Sequence, residues 1–222
     1  MQHIEKGTVD NYLAFKGLDR ETLKKFSVLI MENGKFSNYN DCPWAKKEYH
    51  LLKFKREKYI AEGCKEAIFI PVFDFVGNLV GIVMRLMCSQ KHDSYFKDNI
   101  SKTKILFNLN NAYKDILRLN RVFITEGCPD TLALSKCGIT NSVALLGTNI
   151  TDYHIFMLNC LTDNIILVLD SDNAGWKACL KAKQKSKGKM NVFRVKLPYG
   201  LDADEYLKNH TTKEFFSLIK VL

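Results

Sequence analysis

The second half of the chain repeats one unit: a short apolar, β-prone run, a turn, and then a segment with helical spacing. The apolar runs are VFIT (122–125), SVALL (142–146), IILVL (165–169) and NVFRVKL (191–197). A helix after the first run starts near Pro129, suited to a first helical turn, and stops at Gly138, suited to a C-terminal cap. Thr151 can cap a second helix reaching about Leu161, where Ile155, Phe156, Leu158 and Leu161 recur at helical spacing. Ala174 to about Lys185 reads as a third, and two short helices follow the last run. Strands separated by helices of this length indicate a parallel sheet with helices packed on its faces. Ligands of such sheets bind in the crevice beyond the carboxyl ends of the strands.

Acidic residues collect at those ends. Residues 121–222 contain ten acids, and six of them form tight groups: Glu126 with Asp130, Asp170 with Asp172, and Asp202 with Asp204. Each group follows a predicted strand, whereas independently solvated loop carboxylates have no reason to share one rim. Like charges repel, and burial makes each harder to ionise. A hard divalent cation offsets both effects, because Mg²⁺ takes oxygen ligands and binds one or two carboxylates together with substrate phosphates. In Asp170-Ser171-Asp172, positions i and i+2 can point to one side as the chain leaves its strand.

The charge balance fits an anionic partner. The net charge is +9, and residues 177–196 hold eight Lys and Arg and no acid. No apolar run approaches the ~20 residues of a bilayer span, and the N-terminus lacks the apolar core of a signal peptide. Seven scattered cysteines without a C-x-x-C pair argue against a zinc site or a disulfide framework, and for reduced thiols in a cytoplasm.

The first half reads differently. Residues 19–31 predict a helix and then a strand, and 108–120 a helix leading into the second half. AIFIPVFD (67–74) and LVGIVMRLM (79–87) predict a β-hairpin, with Pro71 weakening its first strand or placing it at an edge. Residues 45–62 set Tyr49, Phe54 and Tyr59 among lysines and an arginine, the mixture of single-strand binders, although aromatics at such spacing are more often core.

FITEGCPDTLALSKCG, ALLGT, LVLDSDNAG and LPYGLDADEYL, in that order over residues 122–207, resemble the TOPRIM domain of DnaG-type bacterial and phage primases. Ahead of them, Asp74, Gly77, Gly81 and Arg85 in IPVFDFVGNLVGIVMRLM resemble the primase segment that precedes TOPRIM, so the likeness covers roughly residues 20–210. It implies an α/β fold: a TOPRIM domain, Rossmann-like with helices on both faces of a parallel sheet, over 121–222, after a smaller basic α+β subdomain over 1–120. It also implies Glu126, Asp170 and Asp172 as catalytic residues. These three, with Asp202 and Asp204, would be ligands of Mg²⁺ or Mn²⁺, and Asp130 a supporting acid. Gly127, Arg85, Lys102 and Lys104 would contact nucleotide or template.

The activity implied is synthesis of short RNA primers from ribonucleoside triphosphates on single-stranded DNA, by a minimal core without the zinc-binding or helicase-binding domains. A replicative helicase or a separate recruiting protein would be a partner, in the cytoplasm of a bacterial cell and encoded by a phage or plasmid. A TOPRIM nuclease and a non-catalytic single-stranded DNA-binding protein are the competing readings. Asn173 and Trp176 depart from the family pattern, which usually has arginine and a polar residue there.

Overall fold

A computed structural model describes residues 7–88, 92–97, 100–147 and 149–222. The chain forms two compact units: the first runs to Val72 and resumes over Leu79–Asn99, and the second takes Phe73–Asn78 and Ile100–Leu222.

In the first unit, α1 (Val9–Phe15) and α2 (Arg20–Lys25) are capped by the side chains of Thr8 and Asp19, each accepting a backbone N–H. They precede β1 (Leu29–Glu32) and β2 (Lys35–Phe36), then α3 (Pro43–Lys47) and α4 (Tyr49–Ala61). The hairpin strands β3 (Ala67–Phe73) and β4 (Leu79–Leu86) and then β5 (His92–Phe96) complete a sheet of order β2-β1-β3-β4-β5. Pro71 therefore lies in the central strand and not at an edge. It is tolerated past Phe69, the last β3 residue paired with β1, where one ladder has already ended. Of the aromatics in the basic segment, Tyr59 is core: its hydroxyl donates to Asp93 Oδ2 at 2.6 Å, beside Lys55 Nζ at 2.8 Å. Tyr49 and Phe54 are exposed.

In the second unit α5 (Leu109–Leu119) leads into β6 (Val122–Thr125), α6 (Cys128–Lys136), β7 (Ser142–Ala144), α7 (Asp152–Asn159) and β8 (Asn164–Val168). Then come α8 (Asn173–Ser186), β9 (Asn191–Val195), α9 (Ala203–Asn209), α10 (Thr212–Ser217) and β10 (Ile219–Val221). The sheet order is β10-β9-β8-β6-β7; β7, β6, β8 and β9 run parallel, and β10 adds an antiparallel edge that the apolar pattern did not announce. β7 stops two residues short of the predicted end because Leu146 takes a left-handed φ of 58°. The adjoining Gly-Thr turn includes Thr148, outside the described residues.

Both faces of this sheet are covered, and the strands alternate between them. Val122, Ile124, Ile165 and Leu167 pack against α5, α7 and α8, while Phe123, Ile166 and Val168 pack against α6, α9 and α10. The chain moves one way from β6 to β7 and the other way from β7 to β8. With right-handed crossovers, that reversal requires α6 and α7 on opposite faces, as observed. Cys42, Cys64, Cys128, Cys137, Cys160 and Cys179 are free thiols, and no described helix is long and apolar enough to cross a membrane.

Burial raises the Asp93 carboxyl, but its bonds from Lys55 and Tyr59 outweigh this and hold it below the usual aspartate range. A depressed folded-state value contributes stability above the ordinary pKa and loses it as pH falls through the folded one. Asp93→Ala is expected to cost about 1–3 kcal/mol in urea unfolding at pH 7, with the gap to wild type narrowing in acid; a pH-independent gap would refute the charge-based origin.

Candidate active site

The reversal of strand order between β6 and β8 leaves a crevice at their carboxyl ends. Thr125 ends β6 opposite Val168 at the end of β8. Glu126 and Asp170 leave the sheet close together for that reason. On the β6 side, the buried Thr125 hydroxyl donates to the Gly127 carbonyl at 3.1 Å and shares a hydrogen bond with the Thr131 hydroxyl at 2.8 Å. The Gly127 N–H donates to Asp130 Oδ2 at 3.2 Å. Asp130 thus fixes the loop that carries Glu126, which suits a positioning acid. A Cβ on Gly127 would meet only ordinary contacts, so the fold itself does not demand glycine there.

On the β8 side, Asp172 is the N-cap of α8, its Oδ1 accepting the Gly175 N–H at 2.8 Å. Gly175 is required by close approach: a Cβ there would lie 2.1 Å from the Asp170 carbonyl oxygen. Ser171, between the aspartates, ties this loop to the next. Its hydroxyl donates to the Leu201 carbonyl at 3.3 Å and accepts the Gly200 N–H at 2.8 Å. Asp202 follows as the N-cap of α9, its own N–H donating to Glu205 at 3.4 Å.

The outcome is electrostatic convergence on Glu126. Burial pushes its carboxyl above the usual range, the charges of Asp170, Asp172 and Asp202 push the same way, and a backbone hydrogen bond from Asp170 pulls against them. Asp204 is placed differently, 1% exposed on the inner side of α9. Among the described residues, no three of His, Cys, Asp and Glu converge tightly enough to hold a metal ion by themselves. The donors still fit a hard cation: they are all oxygen, partly exposed except for Asp204, and mutually repelling, and Mg²⁺ needs only one or two protein carboxylates if phosphate and water supply the rest.

The basic residues are less concentrated. Lys102 and Lys104 lie in a single 3₁₀ turn (Lys102–Lys104), held to the start of α7 by the Thr151 hydroxyl, which donates to the Thr103 carbonyl at 2.8 Å. The Lys102 charge is felt at Cys128, two residues past Glu126. Arg85 belongs to β4 of the first unit, its guanidinium 5.7 Å from the centre of the Tyr12 ring.

Residues 123–207 match the Toprim-like family. The second unit thus contains a Toprim-like domain. A DNA primase of Staphylococcus aureus (strain COL) is 34% identical over 161 residues, which are 70% of this chain and 27% of the relative. The chain thus spans about a quarter of that protein. The primase of Aquifex aeolicus, solved with its zinc-binding and RNA polymerase domains, matches 94% of this chain and 54% of its own with a TM-score of 0.72 at 25% identity. A DnaG primase catalytic domain bound to single-stranded DNA matches 98% of this chain and 74% of its own, with a TM-score of 0.71 at 24% identity. The fold is that of the DnaG-type primase catalytic core, with TOPRIM as its second part.

Ser171, Gly175 and Thr125 are the positioning residues that reading for acids misses. The one visible signal was the glycine three residues after Asp172, inside a helix that has no other reason to hold one. Gly175→Ala is expected to lose about 2 kcal/mol or more, since backbone has to move to admit the methyl group, and to displace the Asp170 loop; unchanged urea unfolding would contradict this. A carboxyl with a raised folded-state value destabilises the fold increasingly as pH rises from its ordinary value to the raised one, and by the full amount above that. Without divalent metal, Glu126→Gln should therefore melt above wild type at pH 8, and the difference should vanish near pH 4. A wild type more stable than the variant at pH 8 would refute the repulsive site.

Proposed function

We propose that the chain is the nucleotidyl-transfer core of a DNA primase, joining ribonucleoside triphosphates into short RNA on a single-stranded DNA template. The observation that carries this is the convergence of Asp170, Asp172 and Asp202 on Glu126 at the strand-order reversal of a Toprim-like sheet. Likeness to a DNA primase over 161 residues and to the DnaG catalytic domain solved with single-stranded DNA supports it.

In this reading Glu126, Asp170, Asp172 and Asp202 hold Mg²⁺ or Mn²⁺, with Asp204 supporting their loop from within α9. The cation, when bound, stabilises negative charge on the transferring phosphoryl group and its leaving pyrophosphate. Glu126 is suited to a proton-handling role, because burial and the neighbouring aspartates raise its carboxyl above the usual glutamate range, so that it holds a proton more readily than a free carboxyl. Gly127 leaves space for phosphate beside the loop, and Asp130 keeps that loop in place. Lys102, Lys104 and Arg85 supply phosphate contacts. A bacterial cytoplasm, with a replicative helicase or separate recruiting protein, is the setting this activity requires.

With template, labelled ribonucleotides and Mg²⁺ or Mn²⁺, wild type should make oligoribonucleotides. Asp170→Ala with Asp172→Ala should lower the rate by about 100-fold or more, the scale of losing a charge-stabilising group. Metal-dependent cleavage of the strand without incorporation would identify a nuclease instead and sink the proposal. Independently of activity, saturating Mn²⁺ should raise the wild-type melting temperature, by binding to the folded state alone, and should not raise that of Asp170→Asn with Asp172→Asn.

A further inference from the structure

Beside the acidic rim, a groove of about 630 Å³ opens between the outer face of α8 and strands β9 and β10. Asp170 and Asp172 stand at one end. A second depression of about 690 Å³ shares Leu180, Lys183, Val221 and Leu222 with it and reaches Lys187, so the groove continues along α8. Its make-up is unlike that of a core surface left half-finished. The α8 stripe of Trp176, Leu180 and Lys183 faces Arg194, Lys196 and Lys220, and Tyr199 stands at the mouth. Trp176 is 42%, Leu180 45% and Tyr199 88% exposed, which is costly for a chain that buries its other tryptophan to 6%. The Trp176 indole is held in place, with the Arg194 guanidinium 4.6 Å from its ring centre. No described acid pairs with Lys183, Lys187, Lys196 or Lys220.

We infer that this groove binds a single-stranded polynucleotide, with bases against Trp176, Tyr199 and the apolar floor and phosphates on the lysines and Arg194. Aromatic platforms combined with a cationic track are what sequence-tolerant single-strand binding requires. An apolar helix would satisfy the floor but leave the cations desolvated and unpaired, so charge complementarity selects the polyanion. Because the groove ends at Asp170 and Asp172, the bound strand would run on toward the catalytic rim. That last step rests on the primase reading, whereas binding does not.

The test uses a twelve-residue single strand bearing 5-bromouracil, as DNA in one arm and RNA in the other, with EDTA present and no ribonucleotides. Irradiation should crosslink the strand to Trp176 or Tyr199, as located by mass spectrometry, and the stronger arm identifies the strand. Trp176→Ala should weaken binding about tenfold, the scale of one lost base stack, and Trp176→Phe should restore most of it. Lys183→Glu with Lys220→Glu should reduce the slope of log affinity against log salt by about two. Crosslinks confined to other residues, or unaltered affinity in Trp176→Ala, would overturn the inference. A failed crosslink in a protein that still synthesises primers removes the groove alone, and a crosslink at Trp176 in a protein that never synthesises removes the catalytic reading alone.

Discussion

The second unit is organised around a repulsion. Four carboxylates share one rim, at the carboxyl ends of β6 and β8 and the start of α9, and the Glu126 carboxyl, raised first by burial, is raised further by the other three. Two carboxylates about 6 Å apart repel by about 3 kcal/mol at an effective dielectric of 20. The fold supplies partial relief, since Asp172 and Asp202 are both N-caps, at the positive ends of α8 and α9. A helix end returns about 1 kcal/mol at most sites. A bound cation would relieve the repulsion that these caps leave, whereas the repulsion itself is a weak reason for the acids to be placed here at all.

Sheet topology puts them there, and short-range contacts keep them. Reversal of strand order splits the helices between the two faces and leaves the crevice open between β6 and β8. Within it, Thr125 with Thr131, Asp130 with the Gly127 N–H, and Ser171 with Gly200 and Leu201 each pin a loop through a hydrogen bond made without the side chains of Glu126, Asp170 or Asp172. Gly175 completes the arrangement by absence, since its missing Cβ lets α8 start against the Asp170 backbone.

Legibility in the sequence followed the physical range of each signal. The continuous apolar, β-prone runs VFIT and IILVL, helical spacing around Ile155 and the Thr151 cap are local, and they located β6, β8 and α7 within a residue or two. The grouping of acids at strand ends was legible for the same reason. Pro71 was misjudged because its tolerance depends on where β1 stops pairing, a non-local fact. β10 escaped notice because three residues, IKV, carry no periodicity and exist as strand only through β9. Ser171 reads as filler between acids, and the role of Gly175 stays hidden although the glycine itself stands out, since their partners, Gly200 and the Asp170 carbonyl, are set by the folded loops.

The two departures from the primase pattern fall on one helix, and their placement explains why the fold tolerates both. Asn173 is the first residue of α8, exposed, where the N-cap duty already belongs to Asp172. Trp176 is 42% exposed beside the buried Gly175, with its ring over Arg194. Neither side chain takes part in the hydrogen bond that holds the Asp172 carboxylate, so the N-terminus of α8 can serve the acidic rim while its outer face serves another purpose. One rigid element thereby faces two sites, and whatever occupies the groove is held by the same helix whose first turn fixes Asp172.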